Sequence, residues 1–266
     1  MSEFVSVVHL PTWEVRPDIP QEVFDQERAA LGEQFDAEYG ARFLGSGSAL
    51  LAEGDIRGCV RPGGDIDPRE GSGWVVGADL AWRRDRSAAV VAGHVGDGDD
   101  RLTVAAVRMW DPPKDLSGGH ERHQETVIRE IAELAAEYGN AVIFADTMES
   151  ATVRARFAAH GAFCNMVAMG GGGKSDIYRE LARRVRGGLI RFPDDPVLIA
   201  ELRRLRIRYG GQRPTIENPR SGGGHGDVAQ ALAQAVGAMA SEADEPPAAV
   251  RTIQLAMPYS SGGEFG

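Results

Sequence analysis

Cysteine is scarce in this chain: its 266 residues include only two, Cys59 and Cys164. They lie far apart and in no paired spacing. That excludes a disulfide scaffold and a cysteine-based zinc site, and it fits a reducing compartment. Long apolar runs are missing as well. None approaches the roughly 18 residues of a membrane span, so no membrane contact is expected. The opening stretch MSEFVSVVHLPTWEV has no basic region followed by an apolar one. No signal peptide is read there, and a cytoplasmic protein is the expectation. Positive charge is in deficit, with a net charge of −10, which by itself speaks against general affinity for nucleic acid.

What is present is unevenly spread. Hydrophobic residues make up 42% of the chain and charged residues 26%, enough for one substantial core or at most two domains. From Trp13 to Asp55 there are ten acidic and three basic residues. From Lys174 to Arg213 there are eleven basic and five acidic. A basic stretch in an acidic protein can still meet phosphates. The plainer explanation is an arginine-rich, solvated helix face.

Pro11, Pro17 and Pro20 forbid a continuous helix at the start of the chain. Phe24, Leu31, Phe35, Tyr39 and Phe43 then fall at near-helical spacing, predicting a helix from Asp25 to Phe43. Residues 58–73 hold glycine, proline and aspartate without periodicity and read as a linker. A different pattern starts at Trp74. WVVGADL, SAAVVAGHV and LTVAAVRMW are apolar runs joined by short turns, the signature of an antiparallel meander. Glu121 to Tyr138 is an amphipathic helix. AVIFAD is a fourth strand, free to run parallel to an earlier one because a helix precedes it. After a helix at Ala151 to His160, FCNMVAM is a fifth strand. Helices follow near Asp176 to Arg186, Asp195 to Arg206 and Asp227 to Ala240. Residues 241–266 are rich in Pro, Gly, Ser and Ala and read as a disordered tail. The order describes an α/β fold with a mixed sheet of five strands and helices on its faces.

Three acids stand out by position. Asp79 ends the first strand, Asp146 ends the fourth, and Asp227 opens the last helix. Acids flanked by strand-forming residues are unfavourable in a core unless paired or metal-bound. Neighbouring strands are about 4.8 Å apart, so acids at matched strand ends can share an ion. A helix N-terminus favours an ionised carboxylate. Oxygen-only ligation selects Mg²⁺ or Mn²⁺ over Zn²⁺. Taken singly, each acid is explained as a turn residue or a helix cap. Taken together, in this order and on these elements, they favour a site.

The patterns GADLAWRRDRSAAVV, AVIFADTMES and SGGGHGDVAQALAQAV resemble the three acidic motifs of the nuclease domain of viral terminase large subunits. KSDIYRELARRVRGGLIRFP, followed by LIAELRRL, resembles the stretch before the third acid in that family. LPTWEVRPDIP and ERAALGEQFDAEYGARFL resemble the segment joining the packaging ATPase to its nuclease. The resemblance implies a ribonuclease-H-like fold over residues 74–240 and the end of an ATPase module over residues 1–57. It implies a two-metal DNA endonuclease that uses Asp79, Asp146 and Asp227 with Mg²⁺ or Mn²⁺. The substrate would be double-stranded viral DNA in the host cytoplasm, with a packaging ATPase, a portal and a small terminase subunit as partners. A complete large subunit carries its ATPase ahead of this region, whereas this chain begins at what resembles the ATPase's last segment. Cleavage is therefore expected of it, and translocation by this chain alone is not.

Several residues stay open. Lys174, Arg183 and Arg184 are candidates for DNA phosphate contacts or for exposed surface. Ala168 to Ser175, AMGGGGKS, satisfies a relaxed phosphate-loop pattern and sits between a strand and a helix, so a phosphate-loop ATPase is the main rival. Too little chain follows for the usual nucleotide-binding core. GADLAWRRDRSAAVV also resembles the first hairpin of actin-like ATPases, but the duplicated half those proteins need is missing. A non-catalytic DNA-packaging subunit is a further alternative. His120 and His123 fit an exposed helix face better than a metal site. His225, two residues before Asp227, is a candidate for orienting water or touching phosphate, or is a loop residue.

Overall fold

The computed structural model describes residues 10–31, 34–41, 48–81, 85–96, 100–113, 120–146, 150–167, 173–208, 215–217 and 226–244. Helices α1 (Thr12–Val15), α2 (Gln21–Leu31) and α3 (Gln34–Glu38) come first. The helix expected from Asp25 to Phe43 falls on α2 and α3, with residues 32–33 and 42–43 outside the described residues. Trp13, Phe24, Phe35 and Tyr39 pack ring on ring, with centroids 5.0–6.4 Å apart. The Arg28 guanidinium lies over Phe35. These elements therefore have an aromatic cluster of their own.

The next elements are β1 (Ser48–Ala49), α4 (Glu53–Gly58), β2 (Val60–Arg61) and a 3-10 turn at Pro68–Glu70. The meander is β3 (Gly71–Asp79), β4 (Ser87–Val95) and β5 (Leu102–Trp110), followed by α5 (His120–Glu137). Then come β6 (Val142–Asp146), α6 (Ser150–Ala159), β7 (Cys164–Val167) and α7 (Gly173–Arg186). The chain closes with β8 (Ile190–Pro193), α8 (Pro196–Arg204), β9 (Arg206–Arg208), β10 (Thr215–Glu217) and α9 (Asp227–Asp244).

The main sheet has seven strands in the order β2-β8-β5-β4-β3-β6-β7. The β3-β4-β5 meander is antiparallel, and β6 and β7 run parallel to β3. The five expected strands are all present, but the expected count of five is corrected to seven. The additions are β8, parallel to β5, and the two-residue β2, parallel to β8. Arg191 and Pro193 disguised β8 in the sequence. Proline is tolerated there because it ends its strand, facing a neighbour only two residues long. A second sheet, β1-β9-β10, is antiparallel and equally short.

Residues 58–73 are corrected too. They are not a linker but part of the folded body. Cys59 lies in the core, β2 extends the sheet, and the Tyr138 hydroxyl donates to the Ile66 carbonyl.

Strand periodicity divides the core in two. On one face, Val75 of β3 and Ala88, Val90 and Ala92 of β4 pack with Tyr178 and Leu181 of α7, Leu198 and Leu202 of α8, and the apolar side of α9. On the other, Val76, Ala78, Ala89 and Val91 pack against α5 and α6. Among the described residues no helix is long and apolar enough to cross a membrane.

Candidate active site

Two backbone periods bring the acids together. Along β3, Val75, Gly77 and Asp79 face α9, because side chains alternate and Val76 and Ala78 belong to the opposite core. Along β6, Ile143 and Ala145 also belong to that opposite core, while Phe144 packs on the α9 side. Asp146 therefore faces α9 as well. The two strands are parallel and in register from Val75 opposite Val142 to Ala78 opposite Ala145. The next step in that register places Asp79 beside Asp146.

Helix α9 completes the group. Asp227 is its first residue and is 3% exposed. The helix lies directly on β3: a Cβ at Gly77 would stand 2.0 Å from the Ala231 carbonyl oxygen, so only glycine permits this approach. Two glutamines one turn apart face β3. Gln230 Nε2 donates to Asp79 Oδ1 at 2.9 Å, and Gln234 Oε1 accepts from the Ala78 amide at 3.2 Å. On α8, Glu201 is 1% exposed and accepts from the Ala229 amide at 2.9 Å. It caps the first turn of α9 from a neighbouring helix, satisfying an amide that the helix itself cannot.

The electrostatics follow from this crowding. Burial, the Asp227 charge and, more weakly, Asp146 and Glu201 push the Asp79 carboxyl up to about 8. Lys174, in the first turn of α7, acts in the opposite direction. Burial also raises Glu201, Asp227 adds to the rise, and the α9 amides oppose it. Four acids thus lie close together, opposed by Lys174 at Asp79 and by Arg204 at Glu201. Such a group favours either a proton or a cation.

Among the described residues, no three His, Cys, Asp or Glu side chains form a ready-made metal cage. Asp79, Asp146 and Asp227 offer carboxylate oxygens alone, the donor chemistry of a hard divalent ion.

The other candidates divide. Lys174 lies within the field of Asp79. Arg183 donates to both carboxylate oxygens of Glu180 at 2.7 Å, and Arg184 donates to Glu180 Oε1 at 2.8 Å. Both arginines are thus engaged within α7. His123 is on α5, across the sheet from the acids. His225 and residues 168–172 of the glycine run lie outside the described residues.

Sequence reasoning passed over Glu201, Gln230 and Gln234. Each left a signal, a polar residue inside an apolar helical pattern: Glu201 in LIAELRRL and the glutamines in VAQALAQAV.

No protein-family model matches the chain, and the search of curated proteins gives no match. Solved structures do match. The large terminase nuclease of thermophilic phage G20c is 18% identical, with a TM-score of 0.54 over 70% of this chain and 96% of that one. The nuclease domain of the Thermus phage P74-26 large terminase is 17% identical, with a TM-score of 0.53 over 71% of this chain and 94% of that one. The HK97 bacteriophage large terminase is 18% identical, with a TM-score of 0.58 over 84% of this chain but 50% of that one. This chain therefore spans about half the length of that protein. The G20c nuclease has been solved with bound magnesium, cobalt and zinc. The α/β arrangement of this chain, a mixed sheet covered by helices on both faces, is the fold of the phage large terminase nuclease domain.

Proposed function

We propose that this chain is the nuclease part of a viral DNA-packaging terminase large subunit and cuts double-stranded DNA with Mg²⁺ or Mn²⁺. The observation that carries the reading is the convergence of Asp79, Asp146 and Asp227 from β3, β6 and α9 into one mutually repelling group. Divalent ions held there would neutralise the acids, offset phosphodiester charge and lower the pKa of an attacking water. Asp79, which lies within the field of both other acids, is the carboxylate best suited to be shared by two ions. Lys174 stands where a DNA phosphate approaching Asp79 would meet a positive charge. Arg183 and Arg184 are secondary DNA contacts in this reading, available once Glu180 releases them. We assign residues 74–240 to the nuclease and residues 1–57 to the end of an ATPase module. Portal, small subunit and ATPase are the partners, and the host cytoplasm is the setting.

The test is a plasmid-nicking assay with and without metal and ATP. Wild type is expected to cut with Mn²⁺ or Mg²⁺ and without ATP, and Asp79→Ala to be inactive while still folded. Cutting that needs ATP and Lys174 but ignores Asp79 would overturn the reading in favour of a phosphate-loop enzyme. A folded, metal-loaded wild type that never cuts would point to a non-catalytic packaging subunit.

A further inference from the structure

We infer that Gln230 is a positioning residue for the metal site, setting the orientation of the Asp79 carboxylate. The inference rests on the nuclease reading above and deepens it. The two glutamines of α9 are not equivalent. Gln234 is fully buried and binds backbone, its Oε1 taking the Ala78 amide. It is therefore a structural clamp between α9 and β3. Gln230 binds a side chain, and that side chain is Asp79.

The chemistry of the contact is directional. An ionised carboxylate only accepts hydrogen bonds, so the amide must present its NH₂ end to it. A donor at 2.9 Å on Oδ1 takes up one lone-pair direction of that oxygen, biasing the carboxylate toward the orientation that leaves the others for a cation. It does so without adding a further negative charge to a group that already repels itself. A glutamate at this position would satisfy the same geometry poorly and worsen the repulsion. A glutamine is neutral and long enough, and it sits one helical turn from the Asp227 end of α9. Its partner on β3 is 151 positions away in sequence. The glutamine pair and Gly77 engage three successive residues, Gly77, Ala78 and Asp79. Partners of this kind, one bond behind a metal ligand, typically change metal affinity about 10–100-fold when removed.

The experiment measures Mn²⁺ binding by titration calorimetry on the full chain without DNA, beside melting temperature in EDTA and the Mn²⁺ dependence of plasmid nicking. Gln230→Met keeps length and removes the donor. It is expected to weaken Mn²⁺ binding about tenfold or more, with little change in melting temperature. Half-maximal nicking should move to higher Mn²⁺ by the same factor and recover at saturation. Gln234→Met is the contrasting variant: it should lower the melting temperature and leave the Mn²⁺ constant as in wild type. A Gln230→Met protein with the wild-type Mn²⁺ constant overturns the positioning role. So does a Gln234→Met protein whose Mn²⁺ constant shifts as much as that of Gln230→Met, since the effect would then be a loosened helix. A wild type that binds no Mn²⁺ is a separate result, and it removes the metal reading itself together with this role.

Discussion

Asp79 is kept near neutrality by burial and by three other acids, and that has a measurable cost in the metal-free protein. Asp79→Asn removes the ionisable group while keeping an oxygen for Gln230. It is expected to stabilise the protein in EDTA by about 1 kcal/mol, a gain of about 2–4 °C in melting temperature. The same variant should lose both cutting and the stabilisation that Mn²⁺ gives wild type. Differential scanning fluorimetry with and without Mn²⁺ reads both, and a variant less stable than wild type in EDTA would contradict the repulsion described here. The basic residues separate in the same way. Lys174→Ala is expected to reduce the log–log salt slope of DNA binding by about 0.9, the loss of one duplex phosphate contact. Arg183→Ala should reduce that slope by less, because its guanidinium must first leave both oxygens of Glu180. A reversed ranking of the two slopes would move the DNA path from Lys174 to the outer face of α7.

Helix α9 is the element on which the site depends, and its placement rests on small groups. Gly77→Ala forces a methyl against the Ala231 carbonyl, so the helix must lift from β3. The expected cost is at the upper end of about 1–3 kcal/mol, with cutting lost at the same time. Glu201→Ala leaves the buried Ala229 amide without its acceptor and opens space beneath α9. It should cost about 2 kcal/mol or more in urea unfolding, whereas Glu201→Gln keeps an accepting oxygen and should cost much less. Equal stability of the two variants would show that the cap contributes nothing. At this scale much was legible in advance. Strands β3 to β7 and helices α5 to α9 announce themselves by period and length, and the ends of β3, β6 and α9 are where their acids lie. The short strands were not legible. Two or three residues, as in β2, β9 and β10, cannot display a period, and β8 carries Arg191 and Pro193 against its type. Gln230 and Glu201 were visible only as polar residues in apolar helices. Their roles depend on partners far off in the chain, which no local pattern reports.

For the whole molecule, the two-sided core governs the cysteines. Cys59 lies in the core on the α9 side and Cys164 in the core under α5 and α6, both free. Burial raises both thiols, Cys164 to about 12. A raised thiol pKa means the folded state favours the neutral form. Its contribution to stability is complete below the unfolded value, near 8.5, and is lost as pH climbs toward about 12. At pH 8 the folded chain should react with iodoacetamide far more slowly than the chain in denaturant, where both thiols label, as read by intact mass. Rapid labelling of the native protein would mean that a core opens readily.

The close seating of α9 on β3 also has a consequence for synthesis. The strands bearing Asp79 and Asp146 leave the ribosome well before the helix that bears Asp227 and Gln230, because chains grow from the N-terminus. Until that helix emerges and docks, the nascent protein holds two acids without the third or the amide that meets Asp79. On the proposed nuclease reading, the site is complete only once that helix has docked.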